Sequence, residues 1–335
     1  MKVINVSQRS EPWRVWRSQG ISASEAAVIM NRSPYKTPWR LWAEKTGLVL
    51  EKSLENNPLI RAGIQQEPVA LQHFEEKHGV LLLPICGESE RYPLLRASFD
   101  GLSEANEPVE IKCPHESTFL DVFLNREQST AFQLYRCQVQ QQILVAEADR
   151  GFLYFYQDGQ TVEFEIQRDD SFIKQLIETA IDFWATVKNG QEPQKDPERD
   201  LFLPQGSAEI QWQQLAADYR QNALRVNDLK AQLEVLDGQQ RDIERRLVAL
   251  MGDYRAAEYA GLRVNCFQMR GSIDYKAALQ SLLPAIADSE AALENYRKKP
   301  SHRVRMTCRD DTDKRAEVPF DAELLKSIAS ADQWF

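Results

Sequence analysis

The chain has 335 residues, 43% of them hydrophobic and 27% charged, with a formal net charge of −9. That is enough apolar material for a sizeable core, and it suits one α/β domain plus an extension. No run approaches a membrane-spanning length, and the opening Met1-Lys2-Val3-Ile4-Asn5-Val6 has no signal-peptide core, so a cytosolic protein is expected.

The first segment with structural content is Trp13-Arg-Val-Trp-Arg17-Ser-Gln-Gly20-Ile-Ser22-Ala-Ser24-Glu25. Ser22 or Ser24 can cap a helix running through Ile29, and the free N–H groups at such a terminus suit a phosphate. Arg17 precedes it and can clamp the same anion with two hydrogen bonds. A capped helix packed under tryptophans explains the same residues without any ligand. A Pro-punctuated loop and a short aromatic-rich helix follow between Asn31 and Gly47. Gly63 to Gly79 reads as a helix stopped by glycine, with Glu67 near its start, where the helix dipole favours an acid in any case.

Arg96 to Lys112 reads as strand, turn, strand. Asp100 closes the first strand, Gly101, Asn106 and Pro108 make the turn, and Val109-Glu110-Ile111-Lys112 is the second. Strand side chains alternate, so Glu110 and Lys112 share one face while Val109 and Ile111 face a core. Two carboxylates and one ammonium then meet at a strand end, which suits a hard divalent cation, Mg²⁺ or Mn²⁺, and a lysine that holds an attacking water. An exposed hairpin with ordinary surface charges fits the pattern too. Tyr135 to Val145 reads as a helix with Gln138 and Gln142 on one face, and a solvated polar face is the plain alternative.

Residues 151–156 and 161–166 alternate around Asp158-Gly159, a hairpin signal, and a helix is expected from about Asp170 to Lys188. A polar, Pro-bearing stretch then gives a linker over 193–208, separating a domain at 1–192 from an extension at 209–335. In the extension Trp212, Leu215, Tyr219, Asn222, Val226, Leu229, Leu233, Leu236, Gln240, Ile243, Leu247 and Leu250 recur three and four apart without a slip. That is a coiled-coil-like seam about 60 Å long. Its partner is either a second helix over Asp274 to Tyr296, folded back antiparallel, or a helix from another subunit or protein. Gly261 to Met269 and His302 to Cys308 look like strands that pair at its base, with Arg303 and Arg305 on one strand face.

Five of these stretches together resemble one family: Trp13-x3-Arg17-x2-Gly20-Ile-Ser-Ala-Ser24-Glu, Gly63-x3-Glu67, Ala97-Ser98-Phe-Asp100-Gly-Leu, Glu110-Ile-Lys112-Cys-Pro and Tyr135-x2-Gln138-Val-Gln140. In order and spacing they are similar to the lambda-exonuclease/YqaJ viral recombinases of the PD-(D/E)xK nuclease superfamily, over about residues 10–190, with Phe99 where that name has proline. The resemblance implies a restriction-endonuclease-like α/β core, a mixed central sheet flanked by helices.

It also implies that Asp100, Glu110, the Ile111 carbonyl and Glu67 hold one or two Mg²⁺ ions, that Lys112 positions water and that Gln138 contacts the metal-site water or scissile phosphate. Arg17, Ser24 and Ser98 would hold a 5′-terminal phosphate. The implied activity is 5′-to-3′ resection of duplex DNA to 3′ single strands for phage recombination, with a single-strand annealing protein as partner and a trimeric ring as assembly. A bacterial cytoplasm carrying phage or prophage is the implied setting. The loop Asn31–Trp42 departs from the lambda enzyme toward the YqaJ branch, so an endonuclease on the same scaffold stays open, as does an inert DNA-binding or scaffold protein.

The scattered Cys86, Cys113, Cys137, Cys266 and Cys308 lack a CxxC, and His73, His78, His115 and His302 lack partners at ligand spacing, which argues against disulfides and zinc. The net negative charge runs against phosphate binding. Residues 1–50, however, carry eight Lys or Arg against three acids, so one face of the chain can still be basic.

Overall fold

The computed structural model describes residues 1–50 and 58–267, together with positions 271, 272, 274, 278, 279, 316 and 317. The chain divides into two compact units, Met1–Phe202 with Asp313–Phe335, and Leu203–Thr312.

In chain order the first unit contains β1 (Lys2–Ile4), α1 (Glu11–Ser18), β2 (Ile21–Ser22), a 3-10 turn (Ala23–Glu25), α2 (Ala26–Ile29), α3 (Pro38–Lys45), β3 (Val49–Leu50), α4 (Pro58–His78) and β4 (Cys86–Glu88). It continues with β5 (Leu95–Ser98), β6 (Gly101–Leu102), β7 (Pro108–Lys112), α5 (Glu116–Asn125), α6 (Thr130–Ala146), β8 (Arg150–Gln157), β9 (Gln160–Gln167) and α7 (Asp170–Asn189). Local chemistry sets many of these boundaries. Ser10, Thr37, Ser129 and Asp169 each accept a backbone N–H at a helix start, while Gly79 (φ +64°) and Gly190 (φ +62°) lie just past helix ends. Asp158 (φ +47°) and Gly159 (φ +87°) form the two-residue turn that the sequence signals.

Two four-stranded sheets result, ordered β1-β4-β5-β2 and β6-β7-β8-β9. In the second, β7 runs parallel to β8, with Glu110 opposite Leu153 and Lys112 opposite Phe155, and the crossover between them carries α5 and α6. The mixed α/β architecture expected from the sequence is present, with mixed sheets flanked by helices. Val109 and Ile111 enter a core with Ala70, Phe74, Leu82 and Tyr154, as alternation requires.

The stretch around Asp100 differs from a simple hairpin. β5 ends at Ser98 in the first sheet, and Gly101–Leu102 pairs with Val109 and Pro108 in the second. Asp100 therefore stands where the chain leaves one sheet for the other. Gly101 is a packing residue: a Cβ there would lie 2.8 Å from the Leu82 side chain. The positive φ of that turn belongs to Asn106 (+61°) instead.

A second difference concerns Glu67. α4 begins at Pro58, so Glu67 sits mid-helix, directly before Pro68. A helix-start acid is not what this residue is. Pro68 has no N–H to donate to the Ile64 carbonyl, which loosens the helix one turn back.

α6 lies between the sheets and packs on β5, β7 and β8. Burial of every residue from Cys137 to Ala146 explains the composition of its C-terminal part. Gln140, Gln141 and Gln142 are fully buried and spend their amides on neighbouring strands. Gln141 donates to the carbonyls of Ile21 (2.8 Å) and Arg96 (3.0 Å), and Gln140 donates to Gln167 (2.7 Å). The chain after α7 stays attached to the unit. Trp39 donates to Glu192 (2.7 Å), Thr37 to Asp200, and Arg199 to the Ser33 carbonyl (2.8 Å).

Among its described residues the second unit contains α8 (Ser207–Met251, 45 residues) and the hairpin of β10 (Ala256–Tyr259) and β11 (Leu262–Asn265). At 1.5 Å per residue α8 is about 68 Å long. The strand expected within Gly261 to Met269 is present, but it pairs with Ala256–Tyr259, a strand the periodicity did not reveal because its four residues are all exposed. The helix expected over Asp274 to Tyr296 and the strand over His302 to Cys308, with Arg303 and Arg305, lie essentially outside the described residues. Among the described residues no helix is long and apolar enough to cross a membrane.

Candidate active site

One cleft in the first unit is lined by Arg17, Ser24, Glu67, Ser98, Asp100, Ile111, Lys112 and Gln138, together with Gln8, Arg9 and Trp13. Every site residue singled out in the sequence lines it, apart from Glu110. That carboxylate is 1% exposed and lies beneath the cleft floor, fully engaged. Its Oε1 accepts from Lys112 Nζ (2.8 Å) and Gln138 Nε2 (2.6 Å), and its Oε2 accepts from Gln142 Nε2 (2.5 Å).

Gln142 also donates to the Ser98 carbonyl at 3.4 Å, while its own Oε1 has no hydrogen-bond partner among the described residues. Asp100 Oδ2 accepts the Ile111 N–H at 3.0 Å, which ties the sheet junction to β7.

Burial pushes the Asp100 carboxyl well above the usual carboxylate range. The charge of Glu110 pushes the same way and Glu67 adds to it, against Lys112 and the Ile111 N–H. For Lys112, burial works to lower the pKa, but Glu110, Tyr135 and Asp100 overcome it and raise it beyond the usual lysine range. The ammonium also sits 4.7 Å from the Tyr135 ring centroid.

This donor set fits a hard divalent cation. Asp100, Glu67 and Ile111 bring oxygen donors to the cleft, and a positive ion would offset the burial and the Glu110 charge that raise the Asp100 pKa. Among the described residues no three Asp, Glu, His or Cys side chains close into a cage. One or two carboxylates, a carbonyl and retained waters are what Mg²⁺ takes. Glu67 reaches the cleft from α4, where Arg9 Nη2 binds its Oε2 at 2.5 Å.

At the other end of the cleft, Arg17 Nη2 donates to Ser22 Oγ (3.1 Å) and Ser24 Oγ (2.7 Å), and its guanidinium lies 4.6 Å from the Trp13 ring centroid. Trp13 Nε1 donates to Ser98 Oγ at 2.7 Å. Ser22 caps the 3-10 turn in a capping box with Glu25, which Lys45 holds at 2.9 Å. A guanidinium, two hydroxyls and a tryptophan thus frame one anion-sized corner beside the carboxylates. Ser22 belongs to that corner as much as Ser24 does.

Residues 12–149 match the family model of the YqaJ-like viral recombinase domain. The matched residues all lie within the first unit. The uncharacterized protein YqaJ of Bacillus subtilis (strain 168) is 25% identical over 266 residues, covering 76% of this chain and 81% of that protein. Among solved structures, the alkaline exonuclease LHK-Exo of Laribacter hongkongensis is 22% identical with a TM-score of 0.48, over 54% of this chain and 94% of that one. A phage-related exonuclease of Haemophilus somnus 129PT is 14% identical with a TM-score of 0.39, over 51% and 96%.

Gln8 and Arg9 were not foreseen in the sequence, where no pattern marks them, and Gln142 had no role there beyond sharing a face with Gln138. The run Gln140-Gln141-Gln142 directly before the apolar Ile143-Leu144-Val145-Ala146 was the available signal.

Proposed function

We propose that the chain is a metal-dependent deoxyribonuclease that digests duplex DNA from a 5′-phosphorylated end, in the 5′-to-3′ direction, leaving a 3′ single strand for recombination. The observation that carries this is the shared cleft, in which the Arg17, Ser22, Ser24 and Ser98 corner lies beside Asp100, Ile111, Lys112 and Glu67.

Asp100 and the Ile111 carbonyl would hold Mg²⁺ or Mn²⁺, with Glu110 joining by exchanging an amide contact for the ion and Glu67 serving a second ion. Bound there, the metal supplies positive charge to the phosphoryl oxygens and lowers the pKa of water. Lys112 is held as an ammonium, so its part is to orient the attacking water and offset developing negative charge, not to take a proton. Gln138 holds the Glu110 carboxylate, which in turn pairs with Lys112. Water oxygen bonds to phosphorus as the P–O3′ bond breaks in line. The leaving 3′ oxygen takes a proton and the water's proton passes to solvent.

The strand left behind carries a new 5′-phosphate, the group the arginine–serine corner is built to receive. Each product end is therefore the next substrate. Double-stranded DNA is the partner in this reading, with a single-strand annealing protein and a closed ring of subunits as further expectations.

The test compares linear duplex with and without 5′-phosphate and covalently closed circles, each with Mg²⁺ and with EDTA. Metal-dependent loss of the phosphorylated 5′ strand is expected, with circles intact. Cutting of closed circles would replace this reading with an endonuclease, and no cutting of any substrate would reject catalysis.

A further inference from the structure

We infer that α8 is a pairing element for a second copy of this chain, the two helices running antiparallel along the seam from Trp212 to Leu250. Six of its apolar members, Leu215, Leu229, Leu233, Leu236, Ile243 and Leu250, are between 55% and 85% exposed. A 45-residue helix whose apolar stripe faces water lacks the burial that normally stabilises a helix of any length.

The arrangement of the seam points to self-pairing, and to one direction. Its two polar members, Asn222 and Gln240, each lie nine residues from Ala231, which is also the midpoint of 212 and 250. In an antiparallel pair centred there, Asn222 of one copy meets Gln240 of the other, twice, so both amides find partners within an apolar seam. The flanking charges agree. Antiparallel pairing sets Asp218 against Arg246 at both ends and brings the two Lys230 residues together once, at the dyad.

Parallel in-register pairing would instead set Arg225 against Lys230 twice, with no opposite-charge pair at the equivalent flanking positions. Specificity through matched polar layers and flanking charges is the general device of coiled coils.

The test uses the full chain with Cys266→Ser and Cys308→Ser, carrying Leu215→Cys or Leu247→Cys, expressed singly and together under mild oxidation. Residue 215 of one copy meets residue 247 of the other only in the antiparallel pair. The co-expressed sample is expected to cross-link several-fold more than either variant alone. In sedimentation, Leu229→Glu/Leu233→Glu should halve the particle mass while the first unit's melting stays unchanged. Self-linking of either single variant, or a mass unaffected by the double substitution, overturns the inference.

Discussion

Asp100→Asn separates the metal-site account from a purely structural one. In wild type, with EDTA present, Asp100 is buried beside Glu110, and burial first and that charge second raise its carboxyl pKa. The folded state then holds a proton that the unfolded chain releases. Stability should therefore fall as pH rises above the ordinary carboxylate value and through the raised one. Asparagine keeps an oxygen to accept the Ile111 N–H, now 3.0 Å from Asp100 Oδ2, and removes the charge. The variant should show a flatter stability–pH profile and a melting temperature at or above wild type near neutral pH in EDTA.

With Mg²⁺ at about 100 times its Kd, binding to the folded state alone adds about 2.7 kcal/mol to wild type. At roughly 2–4 °C per kcal/mol for a unit of this size, that raises the melting temperature by roughly 5–11 °C. The variant should gain little. Differential scanning fluorimetry across pH, with and without Mg²⁺, reads all of this. An equal Mg²⁺ shift in both proteins, or an unchanged pH profile, would refute the placement of the ion on Asp100.

Gln142→Met keeps the volume but removes the 2.5 Å bond to Glu110. A charge-assisted bond of this kind contributes about 1.5–3 kcal/mol, so denaturant unfolding should move by that amount. Arg17→Lys retains charge and loses the fork that engages Ser22 and Ser24. Preference for 5′-phosphorylated over unphosphorylated ends should drop roughly 10- to 100-fold in competition digests. Arg9→Ala frees Glu67 from a partly exposed ion pair, so stability should change by less than about 1 kcal/mol. The Mg²⁺ concentration at half-maximal digestion should fall, because the guanidinium no longer competes for that carboxylate.

Much of the site was legible because its logic is local. Strand alternation puts Glu110 with Lys112, and the capping serines and Arg17 fall within one short segment. What the sequence could not give is the junction between sheets. Asp100 and Glu110 meet because Ser98 ends one sheet and Gly101 begins another, a long-range pairing that a turn signal reads as a hairpin.

Glu67 was misplaced because the helix was expected to start at Gly63, whereas α4 begins at Pro58 and carries Pro68 inside it at the loss of one internal hydrogen bond. The roles of Gln140, Gln141 and Gln142 were hidden because polar residues default to solvated faces, and only burial of α6 between two sheets turns them inward. The seam of α8 was plain from periodicity alone, since three- and four-residue spacing needs no tertiary context.

The most direct measurement is the initial rate of nucleotide release from a 5′-phosphorylated linear duplex, for wild type and Asp100→Asn, with saturating Mg²⁺ and with EDTA. The account predicts release by wild type only with metal, and at least a roughly 1,000-fold lower rate in a variant that remains folded, about 4 kcal/mol of transition-state stabilisation. Release that persists in EDTA, or an unimpaired variant, would contradict it.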